Sequence, residues 1–113
     1  MIEINNIDCM EYMSQLADKS IDFTLTDIPY FRYPIYSGKK RIHPTQKHPE
    51  LFKELILDNT NDGDLVFDPC AGGMTTALAC SEINRNCICC ELSEEFYNDG
   101  IDMLKKEGIL IWI

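Results

Sequence analysis

No apolar stretch in this chain of 113 residues is long enough to span a bilayer, which argues against an integral membrane protein. The opening Met1-Ile2-Glu3-Ile4-Asn5 lacks the basic region of a secretory signal, so a cytoplasmic setting is expected. There is no internal repeat and no low-complexity tract, so a repeat array is not expected. Aspartate and glutamate are missing from residues 28–49, although the chain holds 19 of them. The composition is 45% apolar, enough for one core, and a single domain over residues 1–113 follows.

Cysteine is not scarce: Cys9, Cys70, Cys80, Cys87, Cys89 and Cys90 are present. Cys87 and Cys90 make a CxxC, and His43 and His48 have a spacing that zinc sites allow. The cysteine pair falls in an expected strand, however, where side chains three apart point to opposite faces. No metal is therefore expected, and buried reduced thiols are the better reading.

The net charge of −9 looks wrong for a nucleic-acid binder until it is mapped. The acid-free segment carries Arg32, Lys39, Lys40, Arg41 and Lys47, a local +5 that leaves the rest of the chain at −14. Tyr30, Phe31, Tyr33 and Tyr36 lie among these cations. Basic and aromatic residues interleaved in this way suit a phosphate backbone and exposed bases, although charge alone favours an ordinary solvated loop.

Apolar patterning alternates between strand and helix. Ile2–Ile7 reads as a strand, and Asp8 with Glu11 caps a helix whose apolar face is Met10, Met13, Leu16 and Ala17. Ile21–Thr26 is a strand. Pro49 opens a helix with the stripe Leu51, Phe52, Leu55 and Ile56, which ends at Asn61-Asp62-Gly63. Leu65–Phe67 is a short buried strand, residues 75–83 a helix and Asn86–Cys90 another strand. Ser93 caps the last helix, which Gly100 weakens and Gly108 stops, and Ile109–Ile113 could form a final strand. Strands separated by helices predict a parallel sheet covered on both faces, with ligands at the carboxyl ends of the strands.

Acids stand at those ends: Asp8, Asp27, Asp68 and Glu91. Each alone is most often a helix cap or a solvated loop acid, but four at one sheet edge are harder to dismiss. Glu91, after the second strand of a βαβ unit, suits the two hydroxyls of a ribose. Asp68-Pro69-Cys70-Ala71-Gly72-Gly73 is an acidic, glycine-bearing turn between strand and helix. Asp27-Ile28-Pro29-Tyr30 combines an acid, a rigid proline and an aromatic ring, which suits a flat, amino-bearing base.

At these residues the chain resembles the amino-methylating DNA methyltransferases of the permuted class, in which the catalytic motif precedes the cofactor motif. Asp27-Ile28-Pro29-Tyr30 is similar to their Asp-Pro-Pro-Tyr, and His43-Pro44-Thr45-Gln46-Lys47 matches their His-Pro-Thr-Gln-Lys. Residues 68–76 are similar to Asp-Pro-Phe-Ala-Gly-Ser-Gly-Thr-Thr, and residues 85–91 resemble the following strand with its terminal acid. The resemblance implies a Rossmann-like core that binds S-adenosylmethionine and methylates the exocyclic amine of adenine or cytosine in DNA, in a restriction-modification or phage-like setting. It assigns Asp27, Pro29 and Tyr30 to catalysis, with Tyr30 stacked on a flipped base. Cofactor contacts fall to Asp8, Thr45, Gln46, Lys47, Asp68, Pro69, Ala71, Gly72, Gly73 and Glu91. DNA contacts fall to Arg32, Lys39, Lys40 and Arg41.

Departures from the pattern are Ile28 for a proline, Cys70 for an aromatic residue, Met74 for the last glycine and His48 for a proline. Met74 is expected to need a left-handed backbone and to crowd the cofactor. Residues 31–42 stand where the family has further strands and its DNA-reading region. The strand Ile21–Thr26 is thereby left with an edge that Ile109–Ile113, or a second copy in a homodimer, could cover. A second reading is a non-catalytic relative that binds cofactor or nucleic acid, or serves as an interaction module.

Overall fold

Short runs that are apolar on both sides become the strands. The computed structural model describes residues 1–26 and 49–112. Within them the chain forms β1 (Ile2–Asn5), α1 (Cys9–Met13), β2 (Phe23–Thr24), α2 (Pro49–Asn59), β3 (Leu65–Asp68), α3 (Thr75–Glu82), β4 (Asn86–Cys90) and α4 (Glu94–Lys106). All four strands are parallel, in the order β1-β4-β3-β2. This is the α/β, parallel-sheet class that the alternation predicts, with β3 and β4 at its centre. Their sequences, Leu-Val-Phe-Asp and Asn-Cys-Ile-Cys-Cys, are those of strands buried on both faces.

Among the described residues the two faces are covered unequally. Ile2, Ile4, Val66, Cys87 and Cys89 meet Phe52 and Ile56 of α2, Ala77 and Leu78 of α3, and Ile101 and Leu104 of α4 in one cluster. α3 lies deepest: every residue from Thr75 to Cys80 is buried, so its apolar character runs all round. On the opposite face Phe67, Ile88 and Cys90 are packed by Ile7, Cys9, Tyr12, Ile21 and Leu65. Cys87 and Cys90 thus face opposite sides, as the strand period requires.

Three expectations change. The packing side of α1 is Cys9 and Tyr12, not Met10 and Met13, which are exposed. Tyr12 wins because its ring stacks on Phe67, with centroids 5.9 Å apart, while its hydroxyl donates to Glu3 Oε1 at 3.0 Å. Pairing in the Ile21–Thr26 stretch is confined to Phe23 and Thr24, with further backbone bonds from Asp22 and Leu25 to β3.

The third change concerns the chain's last segment. Trp112 bridges Glu3 in parallel, donating to Ile2 O at 2.7 Å and accepting from Ile4 N at 3.0 Å. It therefore extends the sheet beyond β1 and lies at the edge opposite β2. α4 follows β4, whose outer neighbour is already β1, so the returning chain meets the outer side of β1.

Candidate functional site

The carboxyl ends of β1, β4 and β3 lie side by side because Asn5 pairs with Cys90 and Asp68 with Cys89. Asp8, Glu91 and Asp68 leave from these three adjacent ends. The loops are stitched together: Glu91 N donates to Asn5 O at 2.9 Å, Ala71 N to Cys90 O at 2.9 Å, and Asn6 Nδ2 to the carbonyls of Glu91 and Leu92 at 2.7 and 3.1 Å. Asn6 is a site-shaping residue that sequence reasoning passed over, since it fell inside the expected strand Ile2–Ile7, whereas β1 ends at Asn5.

Glu91 is held by both oxygens. Gly72 N donates to Oε1 and Ser93 N to Oε2, each at 2.8 Å. A carboxylate offers about four acceptor positions, so two remain for a diol. The amide of Gly72, a residue expected to contact the cofactor, is thereby engaged by Glu91 and orients that carboxylate across the turn. Asp68 is buried at 2% exposure. Its Oδ1 accepts from Cys70 N at 3.0 Å, and its Oδ2 accepts from Thr76 Oγ1 at 2.6 Å. Thr76 ties the strand-end acid to the first turn of α3, a role its place after the glycine turn gave little sign of.

Asp8 is exposed and caps α1, its Oδ1 accepting from Met10 N at 2.8 Å. Pro69 is half-buried, while Ala71, Gly72 and Gly73 are buried in the turn. Leu92, next to Glu91, is 69% exposed, which leaves an apolar side chain at the rim between the acids of β1 and β4. Asp27, Pro29, Tyr30, Arg32, Lys39, Lys40, Arg41, Thr45, Gln46 and Lys47 lie outside the described residues. The chain enters that stretch just after β2, which pairs with β3.

Met74 does not behave as its chemistry suggests. Its φ of 62° is left-handed, the conformation expected of the glycine it replaces. Its side chain, however, is fully buried in the core, where a Cβ added to Gly100 would lie 2.3 Å from Met74 Cγ. The side chain points into α4, and the crowding expected at the glycine turn does not arise. Gly100 is the complement that this replacement requires.

A cavity of about 440 Å³ opens at the other end of the sheet, lined by Ile2, Leu78, Arg85, Ile109 and Trp112 among others. Parallel sheets bind ligands at their carboxyl ends, and the acids and the glycine turn are there as well, so the carboxyl edge of the sheet is the candidate site.

Comparison with known proteins agrees. M.HpaI, a type II methyltransferase of Haemophilus parainfluenzae, is 35% identical over 78 residues, covering 68% of this chain and 25% of that protein. The DNA adenine methyltransferase YhdJ of Escherichia coli K12 is 37% identical over 78 residues, covering 69% of this chain and 26% of that protein. The chain therefore spans about a quarter of the length of these relatives. The crystal structure of the M1.HpyAVI–SAM complex superimposes with a TM-score of 0.57 at 39% identity, covering 60% of this chain and 34% of that one. A model of the N6/N4-type DNA methylases matches residues 23–102. That span holds β3, the glycine turn and the doubly anchored Glu91, and by it the chain belongs to the N6/N4 DNA methylase family.

Proposed function

We propose that this chain forms the cofactor-binding and catalytic part of an S-adenosylmethionine-dependent DNA methyltransferase acting on the exocyclic amine of adenine. The observation that carries this reading is the Glu91 carboxylate, held by Gly72 N and Ser93 N beside the buried Asp68. Its two remaining acceptor positions fit the hydroxyls of a ribose, and exposed Leu92 offers an apolar surface to the attached base. The Asp68–Gly73 turn borders the methionine end, joined by Thr45, Gln46 and Lys47 through their resemblance to the family motif. When bound, S-adenosylmethionine supplies an electrophilic methyl group.

The chain's own residues then act by orientation. Tyr30 stacks on the extruded base, worth roughly 1–3 kcal/mol. Asp27 and a neighbouring carbonyl accept hydrogen bonds from the exocyclic amine and hold its lone pair toward the methyl group. Arg32, Lys39, Lys40 and Arg41 contact phosphates. Adenine is preferred over cytosine because of the activity named for YhdJ.

Calorimetric titration with S-adenosylmethionine tests the cofactor step. The chain should bind, and Glu91→Ala should weaken binding at least tenfold, since each hydrogen bond to a charged group contributes roughly 1.5–3 kcal/mol. Absence of binding by the unaltered, folded chain would overturn the proposal. Met74→Gly should leave the affinity unchanged, because the Met74 side chain faces α4.

A further inference from the structure

The chain curls as soon as it leaves β4. Successive carbonyls of a strand point to opposite sides, yet Asn6 Nδ2 reaches two in a row, Glu91 O at 2.7 Å and Leu92 O at 3.1 Å. A carbonyl oxygen only accepts, so the Asn6 amide stands one way round, with both its hydrogens given to this loop. An asparagine that merely forms a turn bonds its own neighbours, whereas these bonds span 85 and 86 positions. The loop begins at a second tie to the same strand end, from Glu91 N to Asn5 O at 2.9 Å. Farther on, Ser93 N donates back to Glu91 Oε2 at 2.8 Å, and Ser93 Oγ accepts from Phe96 N as the cap of α4. The curl that brings Ser93 N to the Glu91 carboxylate is thus the same curl whose carbonyls Asn6 holds.

We infer that Asn6 is the positioning residue for the cofactor's nucleoside part: by gripping both carbonyls it sets Glu91 for the ribose hydroxyls and Leu92 for the base. This rests on the ribose-binding reading of Glu91 given above. A glutamate side chain has freedom to lose, and its open acceptor positions meet a diol only when the carboxylate is held still. Gly72 N holds one oxygen from the glycine turn, and Ser93 N holds the other from within the loop. The second hold lasts only while the loop keeps its curl. Asn6 supplies the support for that curl from β1, and Asp8, two residues on, leaves from the same strand end. Asn6 is exposed, so without it the two carbonyls turn to water at little cost to the fold. Its loss therefore loosens Glu91 without unfolding the chain, and the expected effect on binding is several-fold, smaller than that of removing Glu91 itself.

Two measurements on the full chain test it, one of them without cofactor. Amide hydrogen exchange followed by NMR should show the Ser93 and Gly72 amides exchanging roughly fivefold faster in Asn6→Ala, while the Leu78 amide, bonded to Met74 O inside α3, keeps its rate. Asn6→Asp has nearly the same shape but no donor, and should behave like Asn6→Ala. In calorimetric titration, Asn6→Ala should weaken S-adenosylmethionine binding by a similar factor of roughly five. That loss should shrink when Glu91→Ala is already present, because the two residues then act through one contact. Unchanged Ser93 and Gly72 exchange in Asn6→Ala would overturn the inference whatever the chain binds, as would protection retained in Asn6→Asp or full additivity with Glu91→Ala. A chain that loses this protection on Asn6→Ala, yet takes up no S-adenosylmethionine when unaltered, would keep Asn6 as the support of Glu91 and overturn the cofactor reading instead.

Discussion

The two faces of the sheet are built to different standards. Among the described residues, sixteen buried residues form the cluster under α2, α3 and α4, while three form the cluster under α1. The first face has the long amphipathic α4, the wholly buried α3 and interdigitated Met74 and Gly100. Among the described residues the second is packed by the five-residue α1, with Cys9 and Tyr12, and by the half-buried Ile7, Ile21 and Leu65. Stability on the first face comes from apolar area and close fit; on the second it comes from particular side-chain contacts. The glycine turn joins β3 to α3 and Glu91 directly follows β4, and Ala71 and Met74 of that connection pack into the first cluster, so the candidate site leans on the better-packed face.

Leu104→Ala on the packed face should have the largest effect, a loss of about 2–5 kcal/mol in urea unfolding, since a fully buried leucine leaves a cavity. If Tyr12→Ala cost as much, the contrast between the faces would fail.

Gly100→Ala should cost about 1–3 kcal/mol, because its new methyl group would meet Met74. Met74→Ala should also destabilise. The double variant should lose less than the sum of the two, and simple additivity in the cycle would show that the two residues are not complementary.

The smallest effect should come from Tyr12→Phe, which removes only the hydrogen bond to Glu3, about 0.5–1.5 kcal/mol. Burial, followed by the Glu3 contact, pushes the Tyr12 phenol up to about 12. A raised folded-state value means the contribution is present in full below the unfolded value of about 10 and is lost as pH rises through 12. The stability gap between the chain and Tyr12→Phe should therefore close above pH 10. A gap that persists to pH 12 would place the tyrosine in a less buried setting.

Much of this was legible in the sequence. Ser93 caps α4, Pro49 opens α2, and β4 spans Asn86–Cys90, because caps, prolines and doubly apolar runs act locally. The strand-end acids of β1, β3 and β4 were legible as a group, since a parallel sheet gathers those ends. What was missed depends on contacts between segments far apart in sequence. Nothing near Met74 announces that Gly100 makes room for it, and nothing near Tyr12 announces Phe67. Nor does the Ile109–Trp112 pattern say which edge it will meet. The amide grip on Glu91 escaped notice for another reason: its donors are backbone groups, which have no signature in residue type.

The strand order also sets a timetable for folding. β1 is made first, but its partner β4 comes much later, with Met1 and Asn86 in contact across 85 positions. β3, α3 and β4 follow one another directly and need only short loops, so they can assemble early, while β1 must wait. During synthesis the apolar Ile2 and Ile4 stay without their sheet neighbours until Cys87 and Cys89 have been made. Pulse-labelled hydrogen exchange during refolding should show β4 amides protected against β3 before the Ile4 amide, which closes last onto Trp112.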